Sequence, residues 1–198
     1  MREETKQLEA QEGKIIDFID GKARPDNELE HIRQDFERTL IEEYQFDKAD
    51  VGVDVRLKVP DGSKTVTRKL SLAVYRDGVK GQTQDDISIL IQIAKPAVQP
   101  TDTKNGANEL ERALIACRTA QFACWTNGVE AIYFQKKKGK FDTDVLPVND
   151  FPRKGEDASS IFTTDRSRLR VGLRRRCLGR RIPACNAHSE QDQCGTRL

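Results

Sequence analysis

The stretch Asp86-Ile-Ser-Ile-Leu-Ile-Gln-Ile-Ala-Lys-Pro96 decides the fold. Ile87, Ile89, Ile91 and Ile93 recur at period two, with Ser88, Leu90, Gln92 and Ala94 between them, which predicts a central, largely buried β-strand. Pro96 ends it, because a proline has no N–H to give to the ladder. Its natural partner is Lys69-Leu-Ser-Leu-Ala-Val-Tyr75, in which Leu70, Leu72 and Val74 alternate with Lys69, Ser71, Ala73 and Tyr75. Two such neighbours make a sheet with one apolar face and one mixed face, and the mixed face can carry a site.

Working outward, Val51, Val53, Val55, Leu57 and Val59 alternate with polar or small residues and predict a half-buried strand. Pro60-Asp61-Gly62-Ser63 supplies a turn, with Pro presetting φ and Gly taking a positive φ, and the chain returns through Lys64 to Tyr75 as a hairpin. Arg76 to Gln84 is a polar loop. Upstream, residues 3–19 read as a helix with Leu8, Ile15, Ile16 and Ile19 as a loose stripe, stopped by Asp20-Gly21. A second helix starts at Pro25-Asp26-Asn27, where either polar residue can cap, and runs to about Tyr44 with Leu29, Ile32, Phe36 and Leu40 on one face. His31 beside that stripe reads as an ordinary surface histidine, since no second His or Cys lies at helical spacing from it. Downstream, a loop over 100–106 precedes a helix over 107–120, a short strand Phe122 to Trp125, a tight Thr126-Asn-Gly128 turn and a returning strand from Val129 to Gln135. The result is an α/β protein whose mixed central β-sheet is flanked by helices.

The chain has 198 residues, enough for one domain with an appendage. A third of the residues are charged but the formal net charge is only +2, so overall balance does not by itself mark a nucleic-acid binder. No apolar run is long enough to span a bilayer, no charged-then-apolar leader precedes the first helix, and a cytoplasmic setting is the default. Five irregularly spaced cysteines do not form a disulfide framework. From Asn149 the periodicity fades and arginine becomes dense, at Arg166, Arg168, Arg170, Arg174 to Arg176, Arg180 and Arg181. Cys177, Cys185, Cys194 and His188 share that stretch and a zinc site from the four is conceivable, but their spacing holds no tight C-x-x-C pair and the segment offers little apolar area to fold around a metal. The expected organisation is a domain over 1–150, followed by a linker and basic, disordered or frameshifted tail over 151–198.

The element order and several short stretches carry a family resemblance. Asp17-Phe-Ile-Asp-Gly21, Ile32-Arg-Gln34, Leu40-Ile-Glu-Glu-Tyr44, Leu72-Ala-Val-Tyr75, Ala94-Lys-Pro96, Pro100-Thr-Asp102 and Trp125-Thr-Asn-Gly128 together resemble the N-terminal domain of type I restriction enzyme R proteins. That domain has a PD-(D/E)XK, restriction-endonuclease-like core, and it also stands ahead of N6-adenine DNA methylases in restriction–modification proteins. The resemblance spans roughly residues 10–165 and breaks beyond Leu169, where a frameshifted or truncated reading of a longer gene would produce the unrelated run to Leu198.

What the resemblance implies is Mg²⁺-dependent phosphodiester hydrolysis by an acid on one strand and an acid-x-lysine on the next. The two carboxylates hold the metal, the metal activates a water, and the lysine positions it. Here the matching positions are Ser71, Gln92 and Ala94, while the family's Gln-x-x-x-Tyr pair on the next helix falls at Glu109 and Ala113. No catalytic set is intact and no cofactor is expected, Mg²⁺ belonging only to an alternative in which Lys69, Lys95, Glu109, Asp85 or Asp86 replaces the missing groups. A second expectation is a DNA-facing groove lined by Lys64, Arg68 and Lys69 with the basic turn Lys136, Lys137, Lys138 and Lys140. The readings left open are a catalytically degenerate nuclease-like domain, a working endonuclease with relocated ligands, and a non-catalytic interaction module or gene remnant. Partners would be DNA or the methylase, specificity or motor subunits of a restriction system, with no membrane.

Overall fold

The computed structural model describes residues 12–76, 83–137, 144–157 and 161. Two short strands, β1 (Lys14–Ile16) and β2 (Ala23–Pro25), form a hairpin of their own, and α1 (Glu28–Glu42) follows. The chain continues through β3 (Val51–Asp61), β4 (Lys64–Tyr75), β5 (Ile87–Ile93), α2 (Ala107–Ala116), β6 (Phe122–Thr126), β7 (Ala131–Lys136) and β8 (Val145–Val148). Strands β3 to β8 lie side by side in chain order as one mixed sheet. All neighbours are antiparallel except β5 and β6, whose parallel pairing needs the α2 crossover. The expected central strand is therefore central, and it pairs with β4 as its alternation predicts.

One helix covers each face. Leu40 of α1 joins Leu72, Val74, Ile89, Ile91 and Ile93 in one buried cluster. Leu110 and Leu114 of α2 join Leu57, Leu90, Ala94 and Trp125 in the other. Asn27 caps α1, its side chain accepting from the Glu30 N–H at 3.0 Å. Asn127 closes the β6–β7 turn by accepting from the Val129 and Glu130 amides, with Gly128 at φ +83°.

Several expectations need correction. Residues 14–16 are a strand, not part of a helix over 3–19, and Gly21 at φ +69° turns β1 into β2. Residues before 12 lie outside the described region, as do the loop 77–82, Lys138, Lys140 and the arginine- and cysteine-rich tail. Leu70 does not share a face with Leu72 and Val74. It packs with Val55 on the α2 side, and the change of face falls at Asp54, whose φ of +57° interrupts regular alternation opposite Ser71. Ile87 likewise leaves the other isoleucines, because the β4–β5 register shifts between Val74 and Tyr75. Helix α2 ends at Ala116 rather than 120. Pro60 lies in the edge strand β3, where a missing N–H is tolerated, and the turn itself is Gly62-Ser63 with Gly62 at φ +61°. Packing continues to Phe151, which is buried and stacks on Tyr44 with ring centroids 4.3 Å apart.

Candidate functional site: a neutral pair under a basic pocket

Ser71 and Gln92 lie opposite each other, one step beyond the Leu72–Ile91 pair of β4 and β5. Their side chains are bonded to each other and to the strand. The Ile93 N–H donates to Ser71 Oγ at 2.9 Å, and the Ser71 hydroxyl is 3.3 Å from the Ile93 carbonyl oxygen. Gln92 Nε2 donates to the same carbonyl at 3.2 Å and approaches Ser71 Oγ at 3.4 Å. Ser71 Oγ and Gln92 Nε2 are thus tied to each other and to β5. Ala94 is buried in the α2-side cluster, so a lysine at that position would have to displace packed neighbours.

A pocket of about 260 Å³ opens beside Gln92, between β4 and the start of α2. Arg68, Lys69, Lys104, Glu109 and Ala113 line it with Gln92, so of the positions that the resemblance singles out, Gln92, Glu109 and Ala113 meet there while Ser71 and Ala94 do not. Glu109 is ion-paired with Arg68 across the pocket and with Arg112 Nη1 at 2.9 Å along the helix. Lys69 Nζ sits 3.1 Å from Asp54 Oδ1. Lys95 lies past the end of β5 and is exposed. Asp85 and Asp86 are at the opposite end of β5 from Gln92, where Asp86 accepts from Thr83 and pairs with Arg76. Among the described residues no three His, Cys, Asp or Glu side chains converge as a ligand group.

Among the described residues, the members of the expected basic groove lie at two ends of the sheet. Lys64, Arg68 and Lys69 belong to the β4 arm beyond the C-terminal end of β5, whereas Lys136 ends β7 beside Gln121, near the N-terminal end of β5. Lys136 is only 8 % exposed, and its ammonium donates to the Cys117 carbonyl.

Asp54 links the pocket rim to a buried charge network that sequence reasoning missed. Burial works to raise the Asp54 carboxyl, but hydrogen bonds from Lys69 and Arg24 overcome it and hold the group below its usual range. Arg24 reaches Asp54 Oδ2 at 2.6 Å and Asp17 Oδ2 at 2.7 Å. Asp17 in turn receives Arg33 Nη2 at 2.6 Å, and Arg33 Nη1 reaches Glu37 Oε1 at 2.9 Å. Arg33 also pairs with Glu30. The network binds the β1–β2 hairpin, α1 and the edge of the sheet together. Glu37 is wholly buried with no partner for Oε2, and burial, offset by Arg33 and reinforced by Asp17 and Glu30, pushes it up to about 8. The signal in the sequence was Glu30, Arg33 and Glu37 at helical spacings of three and four, which also describes a solvated helix face.

Among the described residues the architecture is an α/β core with a six-stranded mixed sheet and two α-helices, consistent with the nuclease-like class. The family model for the type I restriction enzyme R protein N terminus (HSDR_N) matches residues 28–152, and the chain belongs to that family. No curated protein and no solved structure matches it.

Proposed function

We propose that this chain is a catalytically silent, nuclease-like domain of a type I restriction–modification protein, serving DNA or subunit contacts rather than strand cleavage. One observation carries the reading: at the acid positions that the PD-(D/E)XK resemblance implies, Ser71 and Gln92 are neutral and are bonded to each other and to β5. Mg²⁺ is a hard cation that wants anionic oxygen ligands, and these residues offer it no charge. Ala94 offers no amine. The surrounding groups do not suit a rescue. Glu109 is neutralised by two arginines, Lys69 is engaged by Asp54, Asp86 by Arg76, and Lys95 projects from beyond the strand. A positioned acid–base group is typically worth roughly 10²–10⁴ in rate, and here the charged metal ligands are replaced as well.

Supercoiled plasmid incubated with the protein and Mg²⁺ or Mn²⁺ tests this. The expected result is no nicking above the metal-free control. Nicking that disappears in Gln92→Ala overturns the reading in favour of an active endonuclease with relocated ligands. Gel shifts across a salt series separate the remaining alternatives: a DNA-binding domain loses affinity steeply as salt rises, and a pure subunit-contact module shows none to lose.

A further inference from the structure

At the end of the sheet away from Ser71 and Gln92, the C-terminus of α2, the start of β6 and the ends of β4 and β7 come together. Gln121 N–H donates to the Ser88 carbonyl, and Lys136 N–H to the Gln121 carbonyl, which pins the three strands there. A pocket of about 310 Å³ lies between them, walled by Arg76, Arg118, Thr119, Gln121, Lys136 and Lys137. Four of these six are cations, and among the described residues no carboxylate lines the wall. In a chain whose formal net charge is +2, this is a marked local excess.

Part of that charge has a structural explanation. Lys136 donates to the Cys117 carbonyl at the C-cap of α2, which has no basic residue in its last turn, so Lys136 answers the negative end of the helix dipole. Arg76 pairs with Asp86 at 3.3 Å. Arg118 and Lys137 are different: both are exposed, and no ion pair with a described carboxylate holds either. The Thr119 hydroxyl in the same wall is buried without a hydrogen-bond partner. Like charges gathered in a concave wall focus a positive potential that an anion would neutralise, and buried polar atoms lacking a partner call for an explanation.

We propose that this pocket binds a phosphate group, through Arg118 and Lys137 with support from Lys136 and Arg76, supplied by a nucleic-acid backbone or by a free phosphate compound. The site is separate from the degenerate nuclease position and does not depend on whether that position cleaves. It divides the basic residues into two surfaces, one at each end of the sheet.

The test uses the full chain and Arg118→Gln/Lys137→Gln, with Lys22→Gln/Lys58→Gln as a control of equal charge change elsewhere. One arm measures binding of a labelled DNA duplex by anisotropy across a salt series. The expected result is about tenfold weaker binding for Arg118→Gln/Lys137→Gln, with a log–log salt slope shallower by about 2. The other arm titrates inorganic phosphate and follows the amide signals of residues 118–121 and 137 by NMR. Loss of DNA affinity with no phosphate-induced shift identifies a backbone phosphate. Saturable shifts that vanish in Arg118→Gln/Lys137→Gln, with DNA binding unchanged, identify a free phosphate compound. The proposal is overturned if neither arm responds, or if the control pair weakens DNA binding as much.

Discussion

Glu37 shows how a residue that looks like surface is held in the interior. The sequence offers Leu29, Ile32, Phe36 and Leu40 as the inward stripe of α1, yet the helix buries Glu30, Arg33, Gln34 and Glu37 alongside Leu40. The helix is legible; its charged seam is not, because, of the partners that justify burying charge, Asp17 falls in a stretch that reads as helix and Arg24 in the break after it. Removing one member of such a network leaves a buried charge unpaired, which typically costs 3–5 kcal/mol. Glu37 also makes stability pH-dependent. Its carboxyl is raised from 4.5 to about 8, so between those values the folded protein keeps a proton that the unfolded chain releases. The contribution is therefore full below the unfolded value and is lost as pH rises through the folded one. Glu37→Gln keeps the acceptor for Arg33 and cannot ionise. Thermal unfolding should give similar midpoints for the two proteins at pH 5 and a higher midpoint for Glu37→Gln at pH 8.5. A gap that does not widen with pH would show that Glu37 is ionised in the folded state.

At the scale of the element, legibility followed length and period. The strands β3, β4 and β5 repeat every two residues over seven or more positions, and each was readable. The strands β1 and β2 have three residues each and β8 has four, too few for a period to register, so β1 reads as part of a helix, β2 as the break after it, and β8 gives no signal. The face of Leu70 was misread for a different reason. Alternation is broken by Asp54 at φ +57°, and nothing in an Asp between two valines announces a left-handed backbone. The loop into α2 depends on a glycine for space rather than for φ. A Cβ at Gly106 would collide with the carbonyl oxygens of Pro100 and Asp102, which are backbone and cannot swing aside. At Gly62, by contrast, a Cβ meets nothing within 4 Å and faces only the cost of φ +61°. Chemical denaturation should show Gly106→Ala losing about 3 kcal/mol or failing to fold, against about 1 kcal/mol for Gly62→Ala. Equal losses would mean that the Gly106 loop relaxes freely.

Across the whole molecule, the sheet order and the α2 crossover bring three of the positions implied by the resemblance, Gln92, Glu109 and Ala113, to one pocket wall, while Ser71 and Ala94 lie outside it. Strand alternation places Ser71, Gln92 and Ala94 on one face, and the resemblance alone points to Glu109 and Ala113; the wall holds Gln92 with the latter two. How these residues are engaged was not readable: the Glu109–Arg68 pair and the Ser71–Gln92–Ile93 bonds depend on three-dimensional register. The described basic residues expected in one groove are split between two ends of the sheet, because β4 and β7 carry them beyond opposite ends of β5. On the function proposed above, the α/β core carries neutral side chains, Ser71 and Gln92, at the positions where the resemblance implies the ligands of a dication.

Calorimetric titration of Mn²⁺ into the native chain and into Ser71→Asp/Gln92→Glu tests that replacement most directly. The double variant restores the two carboxylates without forcing a lysine into the packed Ala94 position. The account predicts no site-specific heat for the native chain and a saturable one-site isotherm for the variant. A native chain that binds one Mn²⁺, and loses it in Gln92→Ala, would contradict it.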